Sequence, residues 1–364
     1  MKRETNYDIL RVFSMFAVIM IHVSADYVGG YIQLFDVRQI SGGIAPIFSS
    51  IYNTISRFAV PCFIMITGAF TLDSKRTENY KEFYKSSFIK LGVPTIIFTI
   101  IYTLYKIPLA FLGENSGLSE LVNVFVDVLK GEPFYHMWYM YMLIGLYALA
   151  PIVVRFKNSI SFENFTKVAF VFLIVASISR WTKEITVMWD VGQAFEYLGY
   201  FMVGFVLRKK LTKNNTKGIC LVLSGFIVLL MTAFIQYKFQ VSLGIQETDL
   251  EFRIVSPYCP TIVLASVLIF AGFTKLEIKG NKYIEKLSNM SFLVYLIHAG
   301  VWYTIVSLIS AIKEDNYMIT HLNCVLWVPI FVVIVLIVSI VGAVIYNFIY
   351  SRTIEKKVKD LLLK

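Results

Sequence analysis

Charge is scarce in this chain. Only 16% of the 364 residues are Asp, Glu, Lys or Arg, against about a quarter in soluble domains. Hydrophobic residues make up 57%, with a mean hydropathy of +0.68. That balance excludes a soluble globular domain. Alternating segments of about ten residues are missing too, which argues against a closed β-barrel. Cys62, Cys220, Cys259 and Cys324 each lie in or beside an apolar run, with no C-x-x-C spacing. This argues against a disulfide framework and a metal site and predicts buried free thiols. No P-loop, G-x-S-x-G, dinucleotide-binding glycine fingerprint or H-E-x-x-H occurs. The corresponding nucleotide-binding, serine-hydrolase and zinc-protease readings lack support. No internal repeat is visible, which weakens the case for a transporter built from repeated halves.

What the chain has is apolar runs of about 20 residues, the length that crosses a ~30 Å hydrocarbon layer. Ten are placed, near 9–28, 46–72, 88–112, 134–154, 165–181, 191–207, 218–237, 257–273, 291–311 and 323–349. The first is too long for a cleavable signal, and no small-residue cleavage site follows it. The expected fold class is all-α: a polytopic membrane helix bundle of about ten transmembrane helices. The intervening loops fall into two alternating sets. The set containing both termini holds 22 Lys and Arg and the other holds six. The positive-inside rule then places both termini in the cytoplasm. The net charge of +10 is read as this loop asymmetry, with no nucleic acid as partner. Residues 1–350 form the expected transmembrane domain and 351–364 a basic cytoplasmic tail. Within the loop 113–133, the pattern L-V-N-V-F-V-D-V-L-K at 121–130 is expected as a short interfacial helix ahead of Gly131, Glu132 and Pro133.

Ionisable residues inside spans are expensive, and each is a functional hypothesis. The first span carries Asp8, Arg11, His22 and Asp26. Arg11 and His22 are about 16 Å apart along a helix axis. Arg11 sits near one interface and His22 beyond the midplane. A topogenic arginine that snorkels, and a histidine bonded between helices, are the bland alternatives. Histidine is equally the natural general base near neutral pH. Asp8 is a partner for Arg11 or a helix cap. Arg57 precedes Pro61 in the second span. It is either an outer-interface arginine or a fixed cation for a phosphate or a developing oxyanion. Tyr135, His136, Trp138, Tyr139 and Tyr141 crowd the start of the fourth span, as an interfacial aromatic belt or as an acceptor-stacking surface. Glu196 is a proton carrier, a partner for a buried arginine, or a headgroup-level residue. Tyr295 and His298 stand one turn apart in the ninth span. Arg180, Trp181 and Asp190 read as outer-surface residues.

Taken together, four blocks resemble the acyltransferase 3 family of integral-membrane acyltransferases. They are D-I-L-R with Arg11 followed by ten residues and His22, S-R-F-A-V-P-C-F-I-M-I-T-G at 56–68, Y-H-M-W-Y-M-Y at 135–141, and S-F-L-V-Y-L-I-H at 291–298. The resemblance covers essentially the whole chain. It implies transfer of an acyl group, usually acetyl from cytoplasmic acetyl-CoA, to a hydroxyl of a cell-surface or lipid-linked glycan in a bacterial plasma membrane. It implies His22 as catalytic, with Arg11 and Arg57 binding or orienting the donor and Asp8 supporting Arg11. His136, Trp138, Tyr141, Glu196, Tyr295 and His298 are then the expected substrate-binding residues, and no metal takes part. No esterase-like domain is appended. The chain therefore resembles the stand-alone O-acetyltransferases, or the membrane half of vancomycin-resistance serine racemases, in which a racemase domain follows the last span. A proton-coupled transporter, for serine uptake or polysaccharide export, is the competing reading. A passive membrane anchor fits the buried polar residues least.

Overall fold

The computed structural model describes residues 3–34, 44–111, 117–182, 189–243, 254–312 and 322–353. These form helices joined by turns, with no strand among the described residues. Seven helical segments are long and apolar enough to cross a membrane, the first of them Thr5–Tyr27 and the last Cys324–Tyr350. The other three expected spans coincide with helices Phe162–Thr182, Trp189–Lys210 and Pro260–Lys275, which we label α8, α9 and α11. The first two carry polar and charged residues, and α11 has only 16 residues. Of the expected tail, 354–364 lies outside the described residues, as do the side chains of Arg180, Trp181 and Asp190.

Helix α1 (Thr5–Leu34) is the axis of the bundle. It packs against α2 (Ile44–Ile55), α3 (Ala59–Thr71), α11, α12 (Lys282–Ile312) and α13 (Cys324–Thr353). Its buried face runs through Tyr7, Leu10, Val18 and Val23. Elsewhere α3 lies directly on α9. A Cβ on Gly68 would come within 1.8 Å of the Phe201 carbonyl oxygen, and one on Gly204 within 2.0 Å of that of Met65. Only glycine permits this backbone approach. Helix α10 (Asn215–Leu243) packs on α11. All four cysteines are free, but Cys220 on α10 is exposed rather than buried. It projects away from the bundle on a helix whose outer face is apolar.

Three local features position the site. The expected second span is not one helix: it breaks at residues 56–58 into α2 and α3. Pro61 explains the place, because a proline ring excludes the carbonyl four residues earlier, that of Arg57. The backbone tightens there, with Arg57 N–H donating to Thr54 O at 3.1 Å. Second, helix α4 (Tyr80–Ser87) passes through a wide π turn, Phe88–Gly92, into α5 (Val93–Leu109). Third, α6 (Leu118–Leu129) is the expected short helix. It ends on Gly131 at φ 78°, with Gly131 N–H donating to Val128 O and Glu132 N–H to Asp127 O. This pair of bonds is the Schellman arrangement. It turns the chain inward, so that residues 134–137 enter the bundle before α7 (Trp138–Ser159) begins.

Candidate active site

At the start of α1, Asp8 is 1% exposed. It takes bonds from Arg3 at 2.7 and 2.9 Å and from Ser288 of α12 at 2.7 Å. Arg11 approaches it less closely, at 3.4 Å. Arg3 also donates to Glu285 O and Asn289. Asp8 therefore ties α1 to α12 beside Arg11, and it stands about 21 Å from His22 along the axis.

Arg11 lines a cavity of about 460 Å³. Its guanidinium lies 5.4 Å from the centre of the Phe70 ring. Two further cations share the cavity, Arg76 and Lys90, together with Thr67, Thr71 and Ser86. Among the described residues no carboxylate lines it. Arg76 belongs to the segment after α3, and Lys90 to the π turn. In the sequence Arg76 is one of several loop charges in 73–87, and Lys90 stands at the start of the expected third span, 88–112, with nothing to single out either. The innermost walls are Tyr139 and Tyr295. Arg57 and His22 are not among the lining residues, so Arg11 and Arg57, expected to act together on the donor, occupy different places.

Beyond Tyr295 lies a cluster built from three of the chain's four histidines. The Tyr295 ring is 4.9 Å from Tyr139, 5.5 Å from His136 and 5.4 Å from His298. His298 is 5.2 Å from both His22 and His136. Tyr135 closes over His22 at 5.0 Å. Backbone carbonyls hold the members in place. The Tyr295 hydroxyl donates to His136 O at 2.5 Å, the His298 Nδ1 lies 2.6 Å from Tyr295 O, and the His136 Nε2 lies 3.3 Å from Leu296 O. His136 is fully buried and does not belong to an interfacial belt, because the Gly131 turn carries it inward.

Arg57 reaches the cluster through a residue the sequence did not single out. Asn53 Oδ1 accepts from Arg57 Nε at 2.9 Å and Nη2 at 2.5 Å. Its Nδ2 donates to Ile21 O at 3.1 Å and Ser24 Oγ at 3.2 Å. These two positions bracket His22. The i,i+4 spacing of Asn53 and Arg57 was the available signal. One turn further along α1, Asp26 accepts from Trp302 Nε1 at 2.7 Å.

The remaining candidates divide. Trp138 stacks with Tyr197 at 6.0 Å, and Tyr197 meets Tyr258 at 5.0 Å. Glu196 precedes Tyr197 on α9. This aromatic group adjoins the cluster through Tyr139, whose ring is 6.2 Å from Trp138. Tyr141 is not in it. Two residues on from Tyr139, it points to the opposite side of α7 and bonds Thr99 at 3.1 Å. It lines a separate apolar groove between α5 and α7. No group of three or more His, Cys, Asp or Glu among the described residues is arranged to hold a metal.

The fold and site thus define a multi-span membrane protein in which a cationic cavity ends beside a buried histidine cluster. The family follows from the sequence: a model of the acyltransferase 3 family, described as an acyltransferase domain, matches residues 4–346. The chain belongs to that family and is a membrane acyltransferase. No curated protein and no solved structure matches it.

Proposed function

We propose that this acyltransferase takes acetyl from cytoplasmic acetyl-CoA and places it on a hydroxyl of an extracytoplasmic or lipid-linked acceptor, such as a cell-envelope glycan, in a bacterial plasma membrane. The observation that carries the reading is the cavity with Arg11, Arg76 and Lys90 on its walls and no carboxylate among the described residues. Such a wall suits a polyanion. Arg76 and Lys90 adjoin loop 73–87, which belongs to the basic loop set and is cytoplasmic by the positive-inside rule. Coenzyme A phosphates would bind there, with the pantetheine arm directed past Arg11 towards Tyr295. His22 lies two ring contacts beyond, through His298, in the half of α1 away from Arg11.

In this mechanism His22 removes the acceptor's hydroxyl proton as the oxygen attacks the thioester carbonyl. Positioned bases typically contribute 10²–10⁴-fold. Arg57, held by Asn53, stabilises the oxyanion. Collapse breaks the C–S bond, the electron pair leaves on sulfur, and the His22 proton passes to the thiolate. An acyl-histidine intermediate on His22 satisfies the same geometry. The aromatic group of Trp138, Tyr197 and Tyr258 with Glu196 suits a sugar.

The test is transfer of radiolabelled acetyl from acetyl-CoA into lipid and glycan fractions by membranes carrying the protein. His22→Ala abolishes incorporation while expression stays intact; retained incorporation overturns the assignment. Substrate flux into liposomes without coenzyme A would establish the transporter instead.

A further inference from the structure

His298 lies 2.6 Å through Nδ1 from the Tyr295 carbonyl oxygen. A carbonyl only accepts, so the ring proton is on Nδ1 and Nε2 keeps its lone pair. That Nε2 is buried and has no hydrogen-bond partner among the described residues. A buried acceptor left without a donor is unusual and calls for one. The polar rings around His298 are His22 and His136, each at 5.2 Å, and Tyr295 at 5.4 Å. Tyr295 gives its hydroxyl proton to His136 O. His136 gives its Nε2 proton to Leu296 O, which leaves its own Nδ1 as a second buried lone pair. Of the three, His22 is the ring with an N–H still to give.

We propose that His298 is a positioning residue for His22. A small rotation of the facing rings, whose centres are 5.2 Å apart, brings the ring N–H of His22 to the unpartnered His298 Nε2; that bond locks His22 in one tautomer and leaves the other His22 nitrogen as a lone pair facing the acceptor. The arrangement rests on the reading of His22 as the base. During transfer the acceptor's O–H proton moves to that free nitrogen, the new C–O bond forms, the C–S bond breaks, and the proton continues to sulfur. His298 itself takes no proton. It does for His22 what an orienting carboxylate does in a Ser-His-Asp triad, with a neutral acceptor instead of an anion.

Two measurements test this. With four histidines in the chain, ¹⁵N-histidine NMR of the detergent-solubilised protein resolves tautomers. His22 is expected in a single tautomer with a hydrogen-bonded N–H, released to rapid averaging in His298→Asn. Averaging already present in the unsubstituted protein overturns the proposal. Kinetically, a glutamine at 298 places an acceptor where Nε2 was, whereas an asparagine keeps only the donor towards Tyr295 O. Turnover of acetyl-CoA should remain within about tenfold in His298→Gln and fall by about 10²-fold or more in His298→Asn, at an unchanged KM for acetyl-CoA. Equal turnover in the two variants, or the reverse order, overturns the proposal. The NMR result needs no turnover, so it stands or falls independently of the acyl-transfer reading, which His22→Ala tests.

Discussion

Replacing Asn53 by alanine removes a side chain that joins Arg57 to the helix of His22. Asn53 is 3% exposed. Its oxygen takes two bonds from the guanidinium, at 2.9 and 2.5 Å. Hydrogen bonds to a charged group contribute about 1.5–3 kcal/mol each. Without them Arg57 loses two of the bonds that orient it, and the largest catalytic consequence is the weakening of one preorganised oxyanion donor. Such losses cost about 2.7–4 kcal/mol, or 10²–10³ in kcat. We therefore expect Asn53→Ala to lower kcat by about 10²-fold. The KM for acetyl-CoA should hold, because neither Asn53 nor Arg57 lines the basic cavity. The helix bonds of Ile21 and Ser24 do not depend on Asn53, so the fold should survive. The assay is a double-mutant cycle with Arg57→Ala. If Asn53 acts only through Arg57, adding Asn53→Ala to Arg57→Ala changes little further, and the coupling is as large as the single effect. Additive losses, or a raised KM with kcat intact, would refute the linkage.

Arg76→Gln and Lys90→Gln should each raise the KM for acetyl-CoA about tenfold, the equivalent of one charge-assisted contact. The effect should shrink in high salt; an unchanged KM in both would remove the cavity as the donor site. Gly204→Ala should destabilise the protein by about 1–3 kcal/mol in detergent unfolding, because the new Cβ meets backbone at 2.0 Å; an unaltered unfolding midpoint would mean that α3 and α9 can separate freely. At the basic end of the bundle, burial works to raise the Asp73 pKa, but hydrogen bonds from Lys209 and Arg208 outweigh it and hold the carboxyl below its usual range. A depressed folded pKa adds stability at pH values above the unfolded value near 3.8 and loses it below. The unfolding midpoint should therefore fall as pH drops beneath about 4, and Asp73→Asn should flatten that fall; an equally steep profile would discount the pairing.

Hydropathy made the helical class legible, because a bilayer selects long apolar runs almost regardless of which apolar residue fills each place. It also located α6 and its end, since Gly131 followed by Pro133 leaves few backbone choices. Pro61 signals a local loosening of the second span, but not a full break at 56–58, because the proline acts four residues upstream of itself and the run stays apolar throughout. The polar residues were visible as a list, not as a neighbourhood. Residues 22, 136 and 298 meet through helix packing, which spacing within one helix cannot report. Tyr139 and Tyr141 look alike in sequence, and only the phase of α7 gives one to the site and the other to an apolar groove. Asn53 is an ordinary polar residue until its two bonds to α1 are seen.

The two ends of α1 acquire different electrostatic tasks from their neighbours. Asp8 would neutralise Arg11 if the two stood alone. Instead its oxygens are engaged by Arg3 at 2.7 and 2.9 Å and by Ser288 at 2.7 Å, while Arg11 remains at 3.4 Å. One carboxylate shared between two guanidinium groups leaves a net positive charge, and the more distant partner, Arg11, is the one that faces the cavity. Its ring neighbour Phe70 is also covered by Arg208, at 4.4 Å, so a second cation lies close behind. Glu4 and Asp73 bind Arg208, which confines the uncompensated charge to Arg11 and its cavity companions Arg76 and Lys90. Around His22 neutral rings and carbonyl-anchored histidines replace the ion pairs, with Arg57 approaching through the neutral Asn53. A polyanion is drawn to the first end and uncharged proton chemistry is served at the second. The 11-residue separation in the sequence holds these two environments about 16 Å apart on one rigid element.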